Sequence, residues 1–242
     1  MKQMTAEKYR ELFRLRAQGD LEAMECTKSL AKFMQNLNIS QGKLLDVACG
    51  VGHYFRELKK IGNFDYIGID LDDKAIEIAK EVWKESPNTM FIVQNASKLD
   101  FEDNSFDIVI SYNLLLHLRD YKDVLKELFR VTKKHLIIRS LFDEKESRNE
   151  LDAQKDYNNV YPSGKFYYNT YSRNDVSNFL KSLGSCKIKF ISDNIKIPEN
   201  ILKKQEEKLD VDKKEFATGK QGEKQEWKGL SLNYEILLIE KR

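Results

Sequence analysis

The sequence predicts an α/β chain: a mostly parallel seven-stranded sheet with helices on both faces and an antiparallel final strand. Three observations lead there. Short apolar runs alternate with helix-period segments as far as residue 141, the pattern of a parallel sheet covered on both sides. The first run passes through a glycine turn straight into a helical segment, KLLDVACGVGHY at residues 43–54, which is how open sheets of this kind build a ligand crevice. The last two apolar runs are joined through a charged stretch rather than a regular crossover, which favours antiparallel pairing.

The elements follow in order. Residues 5–17 read as a charged helix with Tyr9, Leu12, Phe13 and Arg16 near one face. Asp20 is taken as the N-cap of a second helix reaching about residue 37, with Leu21, Met24, Leu30, Ala31 and Met34 as its apolar positions. Residues 43–47 form the first strand; the helix after the glycine turn runs to about Ile61. Residues 66–69 form the second strand, ending at Asp70, and Asp72 or Asp73 caps a helix over 74–83. Residues 90–93 and 106–111 supply the third and fourth strands, a helix covers 121–130, and the fifth strand spans 136–141. Ser172 caps a helix over 173–183 that ends at Gly184. Residues 187–192 alternate as a sixth strand and 232–240 make the last.

With 242 residues, the chain fits one α/β domain that needs no disulfide or metal staple. The expected organisation is a single domain over 1–242 with an N-terminal helical lid (about 1–38), an aromatic-rich insert (about 142–171) and a charged insert (about 199–228). The 41 basic and 39 acidic residues leave a formal charge of +2, which gives no reason to expect a nucleic-acid-binding field. Cys26, Cys49 and Cys186 are scattered and odd in number, without a CxxC or Cys/His cluster, so no metal site is expected. No leader-like apolar segment opens the sequence and no run approaches the roughly 18 apolar residues of a membrane span, so a cytoplasmic setting is expected.

The glycine turn decides the ligand class. A dinucleotide site of G-x-G-x-x-G type would need a third glycine where Phe55 stands. What is present is an acid ending the first strand (Asp46), a turn Ala48-Cys49-Gly50-Val51-Gly52, an acid ending the second strand about 20 residues later (Asp70), and Asn95-Ala96-Ser97 after the third. This set resembles the class I S-adenosylmethionine-dependent methyltransferases over roughly residues 40–142. Ala48 stands where that family most often has glycine, and Asn95 where many members carry aspartate.

The resemblance implies a Rossmann-like fold with S-adenosylmethionine as cofactor. It places Asp46, Ala48, Cys49, Gly50, Gly52 and Tyr54 under the methionine and ribose, with Asp46 serving the ammonium directly or through water. Asp70 would clasp the ribose hydroxyls, and Leu71 would pack on adenine. Asn95, Ala96 and Ser97 would edge the base, with the Asn95 amide oxygen free to accept from the adenine amine. The simpler structural readings are a turn aspartate for Asp46, a helix cap for Asp70 and plain core for Leu71.

On the acceptor side, the fourth strand ends in SYNL at residues 111–114. The (D/N)PP(Y/F) of amine methylation on nucleobases or glutamine is absent, as is a Pro-Cys pair. The implied acceptor is therefore an oxygen or nitrogen atom on a small polar molecule such as a sugar or other metabolite. Methylation of RNA or protein, or a non-catalytic cofactor-binding subunit, are the alternatives. Tyr112 and His117 are the candidates for catalysis; Tyr112 is also placed among the cofactor-binding residues, lining the surroundings of the methyl, or else is a packed strand tyrosine, and His117 is read first as a histidine packed on the sheet, with acid–base work second. His53 in the turn is assigned to a carboxylate or solvent, and His135, placed before the fifth strand, to neither. Tyr9 and Phe13 of the first helix and the aromatics of 157–171 are expected to overhang the strand ends.

Overall fold

The computed structural model describes residues 5–152, 164–193 and 234–241. Its elements, in chain order, begin with α1 (Ala6–Gln18), α2 (Glu25–Asn36), β1 (Gln41–Val47), α3 (Phe55–Ile61), β2 (Asn63–Asp70) and α4 (Asp73–Val82). There follow β3 (Thr89–Val93), β4 (Phe106–Tyr112), a 3₁₀ turn at Leu115–His117, α5 (Lys122–Val131) and β5 (Thr132–Asp143). The remainder is β6 (Glu150–Asp152), β7 (Lys165–Tyr167), β8 (Tyr171–Ser172), α6 (Arg173–Leu183), β9 (Cys186–Ser192) and β10 (Tyr234–Lys241).

The main sheet runs β3-β2-β1-β4-β5-β10-β9. The first five strands are parallel, and β10 pairs antiparallel with both β5 and β9. The seven expected strands and the antiparallel last strand are all present. The strand count is nonetheless larger than expected: β8 adds two residues in parallel beside the end of β5, and β6 and β7 form a separate two-stranded ribbon. Both extras are too short for side-chain alternation to reveal them.

Strand residues alternate between two cores, as a pleat with period two demands. Leu44, Ile108, Ile137 and Ile236 join α2, α3 and α4 on one face, while Leu45, Val109, Ile138 and Leu237 join α5 and α6 on the other. The parallel strands read as nearly continuous apolar runs because both of their faces are covered.

Two expected features are corrected. Asp20 does not cap α2. Gly19 ends α1 at φ 100°, its N–H and that of Leu21 both reaching the Leu15 carbonyl, and α2 starts only at Glu25 with no side-chain cap. Leu21 and Ala23 are buried as a loop tucked under the helices, so the apolar spacing served the loop rather than a helix face. His135 lies inside β5, not ahead of it, because β5 begins directly where α5 stops. Tyr157, Tyr161 and the charged insert fall outside the described residues.

Candidate functional site

Parallel sheets leave a crevice where neighbouring strands send their connections to opposite faces. Here β1 lies between β2 and β4, and its following turn opens onto a cavity of about 400 Å³. Each strand end contributes to the lining: Val47, Ala48 and Gly50 at the end of β1; Asp70 and Leu71 at the end of β2; Gln94, Asn95 and Ala96 after β3; Tyr112, Asn113 and Leu114 at the end of β4. Tyr9, Arg10 and Phe13 of α1 line it as well, with Met24 and Cys26 at the start of α2.

The turn is suspended from β2. Cys49 N–H donates to the Ile69 carbonyl at 3.0 Å, and Gly50 N–H to Asp70 Oδ2 at 2.8 Å. Asp70 Oδ1 accepts from the Asp72 N–H at 2.9 Å, and burial pushes this carboxyl's pKa up. Asp70 thus fixes the turn and the entrance to α4 while lining the cavity. A carboxylate offers about four acceptor positions, so capacity remains for a hydroxyl donor.

The two glycines of the turn differ. A Cβ on Gly50, at φ 54°, would meet nothing within 4 Å, so this backbone lies open to a ligand. A Cβ on Gly52 would fall 2.7 Å from Phe91 and 2.8 Å from the Trp83 indole nitrogen. Gly52 therefore serves packing, with Trp83 Nε1 also donating to the Val51 carbonyl at 3.2 Å.

Asp46, Cys49, Gly52 and Ser97 do not line the cavity. Asp46 is buried beneath it and accepts from the Tyr66 hydroxyl at 2.6 Å; burial raises its pKa to about 7. Cys49 is buried. Ser97 donates to Asn95 Oδ1 with both its N–H and its hydroxyl, each at 2.9 Å. Ala48, Gly50, Tyr54, Asp70, Leu71, Asn95, Ala96 and Tyr112 do line the cavity, and so does His117.

One wall is a row of rings. Tyr9 packs on Phe13, Phe13 on His53, His53 on Tyr54, and Tyr54 on Tyr112, with centroids 4.5 to 5.2 Å apart. His53 meets neither carboxylate nor solvent as expected: both of its ring nitrogens are buried without a partner, and burial lowers its pKa to about 3. The Tyr112 hydroxyl is likewise buried and unpartnered, and burial holds it protonated, well above the usual phenol range. His117 Nδ1 lies 2.9 Å from the Tyr167 carbonyl, which fixes the proton on Nδ1, and burial lowers its pKa.

The described part of the aromatic insert supports this wall instead of overhanging the cavity. Besides the His117 bond, Asn169 donates to the Leu118 carbonyl and Tyr171 is core. Tyr168 joins its hydroxyl to that of Tyr234 at 2.7 Å. Beneath Asn113, Arg139 forms a buried network. It donates to Asn113 Oδ1 and Asp193 Oδ2, both at 2.5 Å, and lies 3.7 Å over the Tyr234 ring.

Sequence reasoning missed Arg10, Gln94 and Asn113. Asn113, at φ 64°, had a usable signal: asparagine tolerates the left-handed region and often marks a strand exit.

Residues 45–138 match the family model described as "Methyltransferase domain". Over this stretch the chain is similar to methyltransferase domains. Curated proteins similar to the chain include demethylmenaquinone methyltransferase of Staphylococcus saprophyticus, 36% identical over 105 residues, covering 42% of this chain and 45% of that protein. Sterol 24-C-methyltransferase erg6 of Aspergillus fumigatus is 36% identical over 101 residues, 40% of this chain and 27% of that one. The matches thus span less than half the length of these relatives. Among solved structures, phosphoethanolamine N-methyltransferase 2 of Haemonchus contortus, in complex with S-adenosyl-L-methionine, shares the fold. Its TM-score is 0.59 at 20% identity, over 88% of this chain and 52% of that one. No helix among the described residues is long and apolar enough to cross a membrane, and no cluster of three or more metal-ligating side chains occurs among them.

Proposed function

We propose that this chain is an S-adenosylmethionine-dependent methyltransferase that acts on a small molecule with a flat, largely apolar body. The observation that carries the cofactor half is the junction of Gly50 and Asp70, an open glycine backbone tied to an acid at the mouth of β2 and facing the same cavity. The bound cofactor would supply an electrophilic methyl on a sulfonium. Asp70 would hold the ribose hydroxyls with its remaining acceptor capacity, each charge-assisted bond contributing about 1.5–3 kcal/mol. Leu71, 40% exposed as a large apolar side chain, offers a face for the base. Asp46, one layer below, would put negative charge under the ammonium end.

With the cofactor lying over β3, β2 and β1, the acceptor belongs over β4. The walls there are Phe13, Met24, Tyr54, Tyr112, Leu114 and Leu118, which suit a ring or chain better than the polar metabolite the sequence suggested. The acceptor atom would be an oxygen or nitrogen carried on that body. Carbon is the second reading, supported by the name of the Aspergillus relative. Tyr112, held protonated and so able to donate, would hydrogen-bond the acceptor's polar group, while His117, fixed by the Tyr167 carbonyl, would shape the wall. Alignment of acceptor, methyl and sulfur can account for about 7–11 kcal/mol of the barrier.

The test uses the purified chain, methyl-labelled S-adenosylmethionine and a cell extract fractionated after reaction. Label should appear in organic-extractable small molecules. Label in RNA or protein would overturn the acceptor class. No label despite calorimetric binding of S-adenosylhomocysteine would make the chain a cofactor-holding subunit.

A further inference from the structure

The amide that reads the cofactor's base differs from the one the family position indicates. Asn95 occupies that position, but its oxygen is already taken. Oδ1 accepts from both the N–H and the hydroxyl of Ser97 at 2.9 Å, and two bonds fill the two lone pairs of an amide oxygen. One residue earlier, Gln94 continues the ladder past β3, its N–H donating to the Asp70 carbonyl at 3.0 Å. Gln94 lines the same cavity beside Asp70, Leu71 and Ala96, and its Oε1 is buried with no partner. A buried amide oxygen left unmet costs about 1–3 kcal/mol, and a donor arriving with a ligand removes that cost.

We infer that Gln94 Oε1, not Asn95 Oδ1, is the acceptor for the exocyclic amine of the cofactor's adenine, and that the Asn95–Ser97 turn shapes the loop without reading the base. This inference rests on the cofactor assignment proposed above. Adenine presents a donor at its 6-position, while a 6-oxo purine presents an acceptor there. Gln94 therefore sets a preference for an amino-bearing base.

The experiment is calorimetric binding of S-adenosylhomocysteine and of its analogue lacking the 6-amino group to four proteins: wild type, Gln94→Met, Gln94→Glu and Asn95→Ala. Wild type should bind the analogue about tenfold more weakly, the equivalent of one net hydrogen bond. Gln94→Met, close in length and without an acceptor, should lose about tenfold for S-adenosylhomocysteine and nothing for the analogue, so that the two ligands bind alike. Gln94→Glu keeps an acceptor and should keep the discrimination. Asn95→Ala should bind both ligands more weakly through loss of the turn and should also keep the discrimination.

Preserved discrimination in Gln94→Met, its loss in Asn95→Ala, or equal binding of both ligands by wild type would overturn the inference and leave the cofactor assignment standing. Failure of wild type to bind S-adenosylhomocysteine at all would overturn that assignment, and this inference with it.

Discussion

Ala48 sits at φ 65°, in the left-handed region, where a Cβ crowds the backbone by roughly 1–2 kcal/mol. The strain is held by the bonds of the next two residues to Ile69 and Asp70. Ala48→Gly should therefore raise stability by about 1 kcal/mol, since relief of the clash exceeds the entropy glycine adds to the unfolded chain. A urea midpoint that fell, or stayed put, would show that the turn is not strained. At this scale the sequence was read unevenly. The Gly50–Asp70 relation could be taken from spacing, because one strand-helix-strand unit fixes about 20 residues between the two. The Asp46–Tyr66 bond could not, because it depends on which face of adjacent strands each side chain occupies. Nor could the two bonds that fill the Asn95 oxygen, which depend on what Ser97 does.

Among elements, α1 is fastened at two points. Arg10 Nε meets Asp72 Oδ2 at 2.8 Å, with only 9% and 11% of the two side chains exposed. At the other end, Arg56 donates to the Arg16 and Leu21 carbonyls at 2.8 and 2.6 Å. Beside and between these fastenings, Tyr9 and Phe13 face the cavity, so a cofactor entering past α1 must loosen it. Arg10→Met should cost about 3 kcal/mol by leaving Asp72 buried without its cation, and it should speed cofactor release. Stopped-flow dissociation of S-adenosylhomocysteine together with hydrogen exchange on α1 would check this; unchanged release would mean that entry lies elsewhere. Helix and strand existence was legible throughout because apolar period tracks the buried face. The start of α2 was not, since Leu21 and Met24 stand three apart, a spacing that a buried loop and a helix share.

For the molecule as a whole, the acids under the site set a pH dependence. Burial raises the pKa of Asp46 from 3.8 to about 7, and raises that of Asp70 too. A carboxyl that holds its proton more tightly when folded contributes stability that is complete below pH about 4. That contribution is lost as pH rises through the folded value, with a slope approaching 1.4 kcal/mol per pH unit, about one proton's worth. Without cofactor, stability should thus decline between about pH 4 and 7, and Asp46→Asn, which can still accept from Tyr66, should flatten the decline. Parallel slopes for the two proteins in denaturant titrations would contradict it. The strand order could be anticipated only in part: parallel pairing follows from the helical crossovers, whereas β8 and the β6–β7 ribbon are too brief to leave a pattern.

The place of β10 has a consequence for how the chain is made. It comes after β9 in sequence but lies between β9 and β5, and among the described strands β9 pairs with β10 alone. As the polypeptide leaves the ribosome, β1 to β5 can assemble on contacts already present. β9 must then wait as an unpaired edge until residues 234–241 emerge and slide in beside β5. Over that interval the nascent protein exposes two sticky edges, those of β5 and β9, to chaperones and to neighbouring chains.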